Sequence, residues 1–580
     1  MQPHYLDEPL WIYPKDDPQW KETIVKEFKI HPVIAQILVS RGFTTLEQIH
    51  DYLYAKLPDL YDPFLLEEMQ AAVDRVSKAI ALAEPILIYG DNDVDGMTGT
   101  ALLTEFFQDL GTPVFFYVAN PGTPRERLIV EALEYAKQNQ CKLLITVDCG
   151  VTAAAEIATI VQNDLEVIIT DHHEPTDKIP HCVATLNPKL LNSTYPNREI
   201  TGVGVAFKLA HAVTNYLVSE GKIPPKKIDL KRYLDLVALG TVADMGSLIG
   251  ENRILVRYGL RQLRKTKRIG LMKLVSVCGI DPNDITTFTI ASKIAPRLNS
   301  LGRIAEPQKG VQLLLVRNAQ TAEKLAADLD LSNIERQKIE RTMSVDVDNL
   351  LSANPEILQN KAIVMFSDKW HPGVIAILST RFAKHYNRPT VMISLENGIG
   401  KGSLRSIPEF PLLSVLKDCS DLLTNFGGHD FAAGLTIPEK NIGEFRKRFI
   451  EIAHKTLTDS DVRTKLYLDA EIKFPELTFD FMESMRLLEP YGNENPQPIL
   501  YSDAKQAWPP KVISKLHLKL YLEQSDEQGD RILEGVAFGK AQQSPFLRKK
   551  DLVLRVAFTP QIDTHQGTSI QLLIRNFIII

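Results

Sequence analysis

From Ile86 to Asp171 the sequence alternates short, continuous apolar runs with stretches of helical periodicity, and this alternation most limits what the chain can become. The runs are ILIY, PVFFYV, LLITV and EVIIT, and residues 99–110, 129–138 and 153–162 between them have helical spacing. Strands this short and this apolar must be covered on both faces, so the pattern predicts an α/β fold with a mostly parallel sheet. Three of the runs stop at acids: Asp91, Asp93 and Asp95 after the first, Asp148 after LLITV, and Asp171-His172-His173 after EVIIT. In a parallel sheet these ends share one edge, where ligands bind in open α/β folds. A further acid, Asp244, follows the helical segment LDLVALG in the turn TVADMG.

Carboxylates crowded at one edge repel each other unless a cation or a proton neutralises them. Asp91, Asp93, Asp95, Asp148, His172 and Asp244 supply enough donors for two divalent cations with bridging oxygens. A set rich in oxygen with an imidazole suits Mn2+ or Mg2+ better than a structural zinc site, which would recruit thiolates. Two such ions would activate a water and neutralise a leaving oxygen, which implies hydrolysis of a phosphoester. A calcium loop at DNDVDG would also need a distant bidentate Glu and no buried strand before it. The glycines of Thr201–Ala206, TGVGVA, follow no strand, so close helix packing is expected there rather than a dinucleotide site.

The 580-residue chain is too long for a single core. Its five cysteines lack CxxC spacing, no stretch reaches the length of a membrane span, and no secretory leader is evident, so a cytoplasmic protein is expected. The net charge of −6 argues against a blanket nucleic-acid coat but says little about local patches. One patch, Arg253 to Arg268, reads either as a solvated helix face or as a phosphate contact. Expected divisions are an N-terminal helical segment (1–80), an α/β domain (81–310), a connector helix (311–360) that contains neither Gly nor Pro through residue 354, a second α/β domain (361–455), and a strand-rich end (461–580). Five strands there, LYLDAEI, HLKLYL, LEGVAF, LVLRVAF and IQLLIRNF, suit a small barrel of OB type or a sandwich fragment. In the second α/β domain, Lys401, Ser403, Arg405, Ser406 and the turn Gly427-Gly428-His429 suit a phosphate backbone or an ordinary surface turn.

With these residues in place, the chain resembles the DHH phosphoesterase family. The motifs are Asp91-Asn92-Asp93-Val94-Asp95-Gly96, Val147-Asp148-Cys149-Gly150, Asp171-His172-His173 and Val242-Ala243-Asp244. Further matches to its single-strand-specific DNA exonucleases are Ile294–Asn299 with Gly302-Arg303, Trp370–Ile375, Arg405-Ser406, Gly427-Gly428-His429 and Leu488–Gly492 with Asn495-Pro496. The resemblance implies a DHH catalytic domain, a long connecting helix, a DHH-associated domain and a C-terminal OB barrel, with a DNA strand threaded between the first two domains. It implies processive removal of nucleotides from the 5′ end of single-stranded DNA, in recombination and repair, with Mn2+ or Mg2+.

On the family pattern Asp91, Asp93, Asp95, Asp148, His172 and Asp244 hold two metals. His173 joins the catalytic set, and Arg303, His371, Ser403, Arg405, Ser406, Gly428 and His429 contact substrate. The family's Arg and Gly-Tyr-Gly turn are replaced by Asn120–Leu128, where Arg125 or Arg127 stands in. Implied partners are single-stranded DNA and a helicase or single-strand-binding protein; no membrane association and a monomer are expected. The alternatives are a phosphodiesterase for short oligonucleotides or cyclic dinucleotides, and a non-catalytic DNA-binding replication scaffold. The strand-rich end counts against the first, and the complete ligand set against the second.

Overall fold

The computed structural model describes residues 8–120, 125–304, 306–526, 529–548, 552–563 and 568–580, leaving aside the side chains of 125–128, 303, 304, 526 and 529. It divides into two compact units. The larger comprises Ile12–Ala295, Pro307–Glu323 and Tyr467–Ile580, and the smaller Met1–Trp11, Pro296–Glu306 and Lys324–Leu466.

The larger unit contains a five-stranded sheet, wholly parallel, as the continuous apolar runs require. Its spatial order is Val114–Val118, Ile86–Gly90, Leu143–Val147, Glu166–Thr170, Ala184–Leu186. The chain therefore starts on the second strand, steps outward, and returns to lay the third on the other side of the first. This makes a topological switch point between Ile86–Gly90 and Leu143–Val147. Helix Val94–Asp109 packs against Gly202–Ser219 and Leu234–Ala243, while Arg125–Gln138 and Ala154–Val161 pack together elsewhere on the sheet.

At the other end of this unit, Leu500–Ile513, His517–Asp526, Gly529–Ala537, Ser569–Ile579 and Val553–Asp563 pair in that order, and the last pairs back on the first. Only the Gly529–Ala537 and Ser569–Ile579 pairing among these five is parallel. This is a closed barrel of OB topology rather than a sandwich fragment. Its longest strand, Leu500–Ile513, went unread in the sequence because Pro509-Pro510 and several polar residues break the alternation; the strand bulges between Trp508 and Lys511. The N-terminal helices Pro18–Phe28, Pro32–Ser40 and Leu46–Tyr54 share the barrel's core, with Ile24, Ile34, Leu38 and Leu53 in one cluster with Leu500, Leu518, Phe558 and Leu572.

Backbone carbonyls and acids occupy four of the seven cations in the basic run, Arg253, Arg257, Arg264 and Arg268, whereas Arg261, Lys265 and Lys267 are exposed. Arg253, 2% exposed, stacks on Tyr52 and donates to the carbonyls of Tyr52, Leu487 and Leu488. Arg257 donates to Leu53 O, Arg264 to Ile285 O, and Arg268 pairs with Asp235 and Glu105. Sequence spacing revealed the helix but not the carbonyl ends that other segments bring to it.

In the smaller unit a mixed sheet runs Asn425–Gly428, Ala432–Pro438, Ile399–Arg405, Thr390–Glu396, Ile363–Ser367. The connecting helix is Ala319–Ala353, shorter than the 311–360 expected, because residues 308–315 form a separate helix. Val316 is extended, and Asn318 then accepts from Thr321 N at 2.9 Å, capping the new start.

Candidate metal centre

The acidic turn grows directly out of the first strand. Asp91 N donates to Val147 O across the switch point, and Asp93 caps the following helix by accepting from Gly96 N at 3.0 Å. Asp95 lies in the first turn of that helix and is fully buried. Asp148 leaves the third strand at φ +61, a strained setting for a residue with a side chain, and its N donates to Thr170 O.

The structure brings the six expected ligands together as two linked groups. Asp91, Asp93 and Asp148 form one and Asp95, His172 and Asp244 another, joined by a third set of Asp148, His172 and His173, and in each the ligand atoms lie within 4.8 Å of one another. His172 Nε2 is 3.0 Å from Asp148 Oδ1, 3.8 Å from Asp244 Oδ2 and 3.9 Å from Asp95 Oδ2, so Asp148 stands between the groups. Asp148 Oδ1 is buried and accepts no hydrogen bond, a costly state for a carboxylate oxygen unless a cation meets it. The residues thus fit two divalent ions with Asp148 between them.

Electrostatics point the same way. Burial, reinforced by Asp93, pushes the Asp91 carboxyl up to about 6 and that of Asp244 to about 7. Burial and then neighbouring carboxylates push Asp95 and Asp148 well above the usual range. Without a cation the cluster therefore holds protons in place of positive charge.

Two supports escaped the sequence reading. The first is TGVGVA, whose glycines pack closely as expected but also act on the site: Gly202 N and Val203 N, at the start of helix Gly202–Ser219, donate to the two oxygens of Asp95 at 2.6 and 3.0 Å. A helix N-terminus favours a negative group there. Gly202 is required for this approach, because a Cβ would lie 2.5 Å from Asp148 Oδ1. The second is Asp171, which accepts from Val151 N, His172 N and His173 N and from His173 Nδ1 at 2.8 Å. That hydrogen bond raises His173 to about 9 against the effect of burial, leaving it a cation beside the centre.

Of the expected substrate contacts, several gather in the smaller unit. Arg405 ends its strand opposite Ala432, Ser403 pairs with Gly434, and Gly428 pairs with Ala433, so Ser403, Arg405, Ser406, Gly428 and His429 meet at neighbouring strand ends. Gly428 adopts φ +133, and Ser406 donates its hydroxyl to Phe410 O. His371 lies before helix Ile375–Tyr386, which packs on the sheet, and its Nδ1 accepts from Gly373 N. Residues 121–124 and the side chains of Arg125, Arg127 and Arg303 lie outside the described residues.

Family models match along the chain: the DHH family N-terminal domain at residues 85–241, the DHHA1 domain at 359–455 and the RecJ OB domain at 468–576. The single-stranded-DNA-specific exonuclease RecJ of Bacillus subtilis is 36% identical over 536 residues, 92% of this chain and 66% of that protein, so the chain spans slightly less than two thirds of its length. The protein of that name from Dickeya dadantii is 33% identical over 519 residues, covering 87% of this chain and 89% of its own. The crystal structure of RecJ with Mn2+ from Thermus thermophilus superposes with a TM-score of 0.81 at 29% identity, over 98% of this chain and 79% of that one. The same Thermus protein in complex with Mg2+ gives a TM-score of 0.73 at 26% identity, over 98% and 78%. With this identity sustained through DHH, DHHA1 and OB segments in a single order, the chain belongs to the RecJ family.

Proposed function

We propose that this chain is a processive exonuclease that removes nucleotides from the 5′ end of single-stranded DNA with two divalent cations, Mn2+ or Mg2+, in recombination and repair. The observation that carries the reading is the set of ligand groups linked through Asp148 and His172 at the switch point, in a chain whose relatives are named single-stranded-DNA-specific exonucleases. Asp91, Asp93 and Asp148 would hold one ion, and Asp95, His172 and Asp244 the other, with Asp148 beside both. Bound there, the pair supplies a water of lowered pKa and neutralises charge on the leaving oxygen.

The protein's own part is placement. The amides of Gly202 and Val203 fix Asp95, Asp171 fixes the loop of His172 and His173, and protonated His173 holds a phosphate oxygen or gives its proton to the leaving group. Ser403, Arg405, Ser406, Gly428 and His429, with His371 and Arg303, hold the strand's backbone. The OB barrel favours a long single strand over a short oligonucleotide or cyclic dinucleotide. A cytoplasmic monomer supplied with substrate by a helicase or single-strand-binding protein belongs to the same reading, and no helix among the described residues is long and apolar enough to cross a membrane.

The test is a long oligonucleotide labelled at either end, incubated with Mn2+. Wild type is expected to release a 5′ label as mononucleotide and to spare a blunt duplex, and Asp148→Ala to lose at least about 100-fold in rate. An intact single strand, or equal digestion by the variant, sinks the proposal.

A further inference from the structure

The segment Leu488–Pro496, recognisable in the sequence but without a task so far, docks on the turn that carries Asp244. Helix Leu234–Ala243 ends just before this carboxylate, and the next residue, Met245, sits at φ +59, left-handed backbone that a side chain disfavours and that surrounding structure must hold. Three contacts from the segment fall beside it. Asn493 Nδ2 donates to Met245 O at 2.9 Å, Leu248 N donates to Asn493 O at 3.0 Å, and Ser247 Oγ donates to Glu494 Oε2 at 2.6 Å. They touch the residues one, three and four places after Asp244.

The segment is itself anchored from behind. Asn495, 1% exposed, accepts from Arg41 Nη1 at 2.6 Å and Tyr52 Oη at 2.7 Å, and donates to Leu488 O and Pro490 O. Gly492 lies so close to the turn that a Cβ would meet Leu248 Cδ1 at 2.5 Å. A chain of contacts therefore runs from the N-terminal helices, through the junction that leads into the barrel, to the turn of a single ligand.

We propose that Asn493 and Glu494 are positioning residues for Asp244, and hence for the cation held by Asp95, His172 and Asp244. The inference rests on the two-cation reading above. It differs from simple adhesion between segments, because adhesion would cost stability when broken whereas positioning costs affinity at one ion and leaves the other unmoved.

The experiment titrates the full chain, stripped of metal, with MnCl2 by calorimetry, and follows the melting temperature of the metal-free protein. Asn493→Ala and Glu494→Ala are expected to weaken one of two Mn2+ sites about tenfold with little change in melting, and hydrolysis to recover at high Mn2+. Glu494→Gln, which can still accept from Ser247, is expected to bind like wild type. Ser247→Ala breaks the same contact from the other side and gives the test again if an alanine at 493 or 494 lowers melting; it too is expected to weaken one site. Two Mn2+ sites in wild type with unchanged affinities in these alanine variants overturn this inference alone. A wild type that takes up no Mn2+ overturns the two-cation reading with it.

Discussion

Asp244 and Asp91 show how a single residue can couple ion binding to acidity. Their folded acidities, about 7 and about 6, exceed the usual carboxylate value of 3.8, so without metal the native state binds more protons than the unfolded chain between those limits. Stability then falls as pH rises through this window. The metal-free protein is expected to melt lower at pH 8 than at pH 5.5 in matched ionic strength, and saturating Mn2+ to raise melting more at pH 8. Ion binding must displace the protons, so Mn2+ affinity is expected to fall by about tenfold or more for each unit below pH 6. A pH-independent titration would contradict both expectations. His173 needs no such displacement, because its charge is set by Asp171.

Among the elements, helix Gly202–Ser219 has the largest unexpected share in the site. Its first amides hold Asp95 and its first glycine admits Asp148. Gly202→Ala places a methyl 2.5 Å from Asp148 Oδ1, and a displaced ligand of this kind is expected to cost about 100-fold in hydrolysis rate. Circular dichroism should stay close to wild type, because alanine favours the helix. Near-normal activity would mean that the two elements separate without harm. The strands were readable because their apolar runs are continuous and end at acids. Leu500–Ile513 was not, since its place is fixed by two partner strands rather than by its own alternation.

For the whole molecule, the N-terminal helices and the barrel form one core, although more than 400 residues separate Leu53 from Leu500 in sequence. Arg253 fastens the catalytic sheet's helices to this body through three carbonyls and the face of Tyr52. Arg253→Ala leaves those buried acceptors unsatisfied and is expected to cost about 3 kcal/mol, read as an earlier denaturant midpoint, with Mn2+ affinity retained in the folded protein. An unchanged midpoint would show that water replaces the guanidinium without penalty.

The sequence by itself determined the parallel sheet, the edge at which the acids converge, the six candidate ligands and the family resemblance, because these depend on local periodicity and on residues set by chemistry. Only the tertiary structure decided that Asp148 stands between the two ligand groups, that the glycines of TGVGVA serve Asp95, that Arg253, Arg257, Arg264 and Arg268 are occupied, and that residues 493 and 494 reach the Asp244 turn. These are contacts between segments far apart along the chain, many of them made through backbone amides and carbonyls that every residue carries, so residue type alone does not announce them. The carboxylates could be read from their identity; what holds them in place could not.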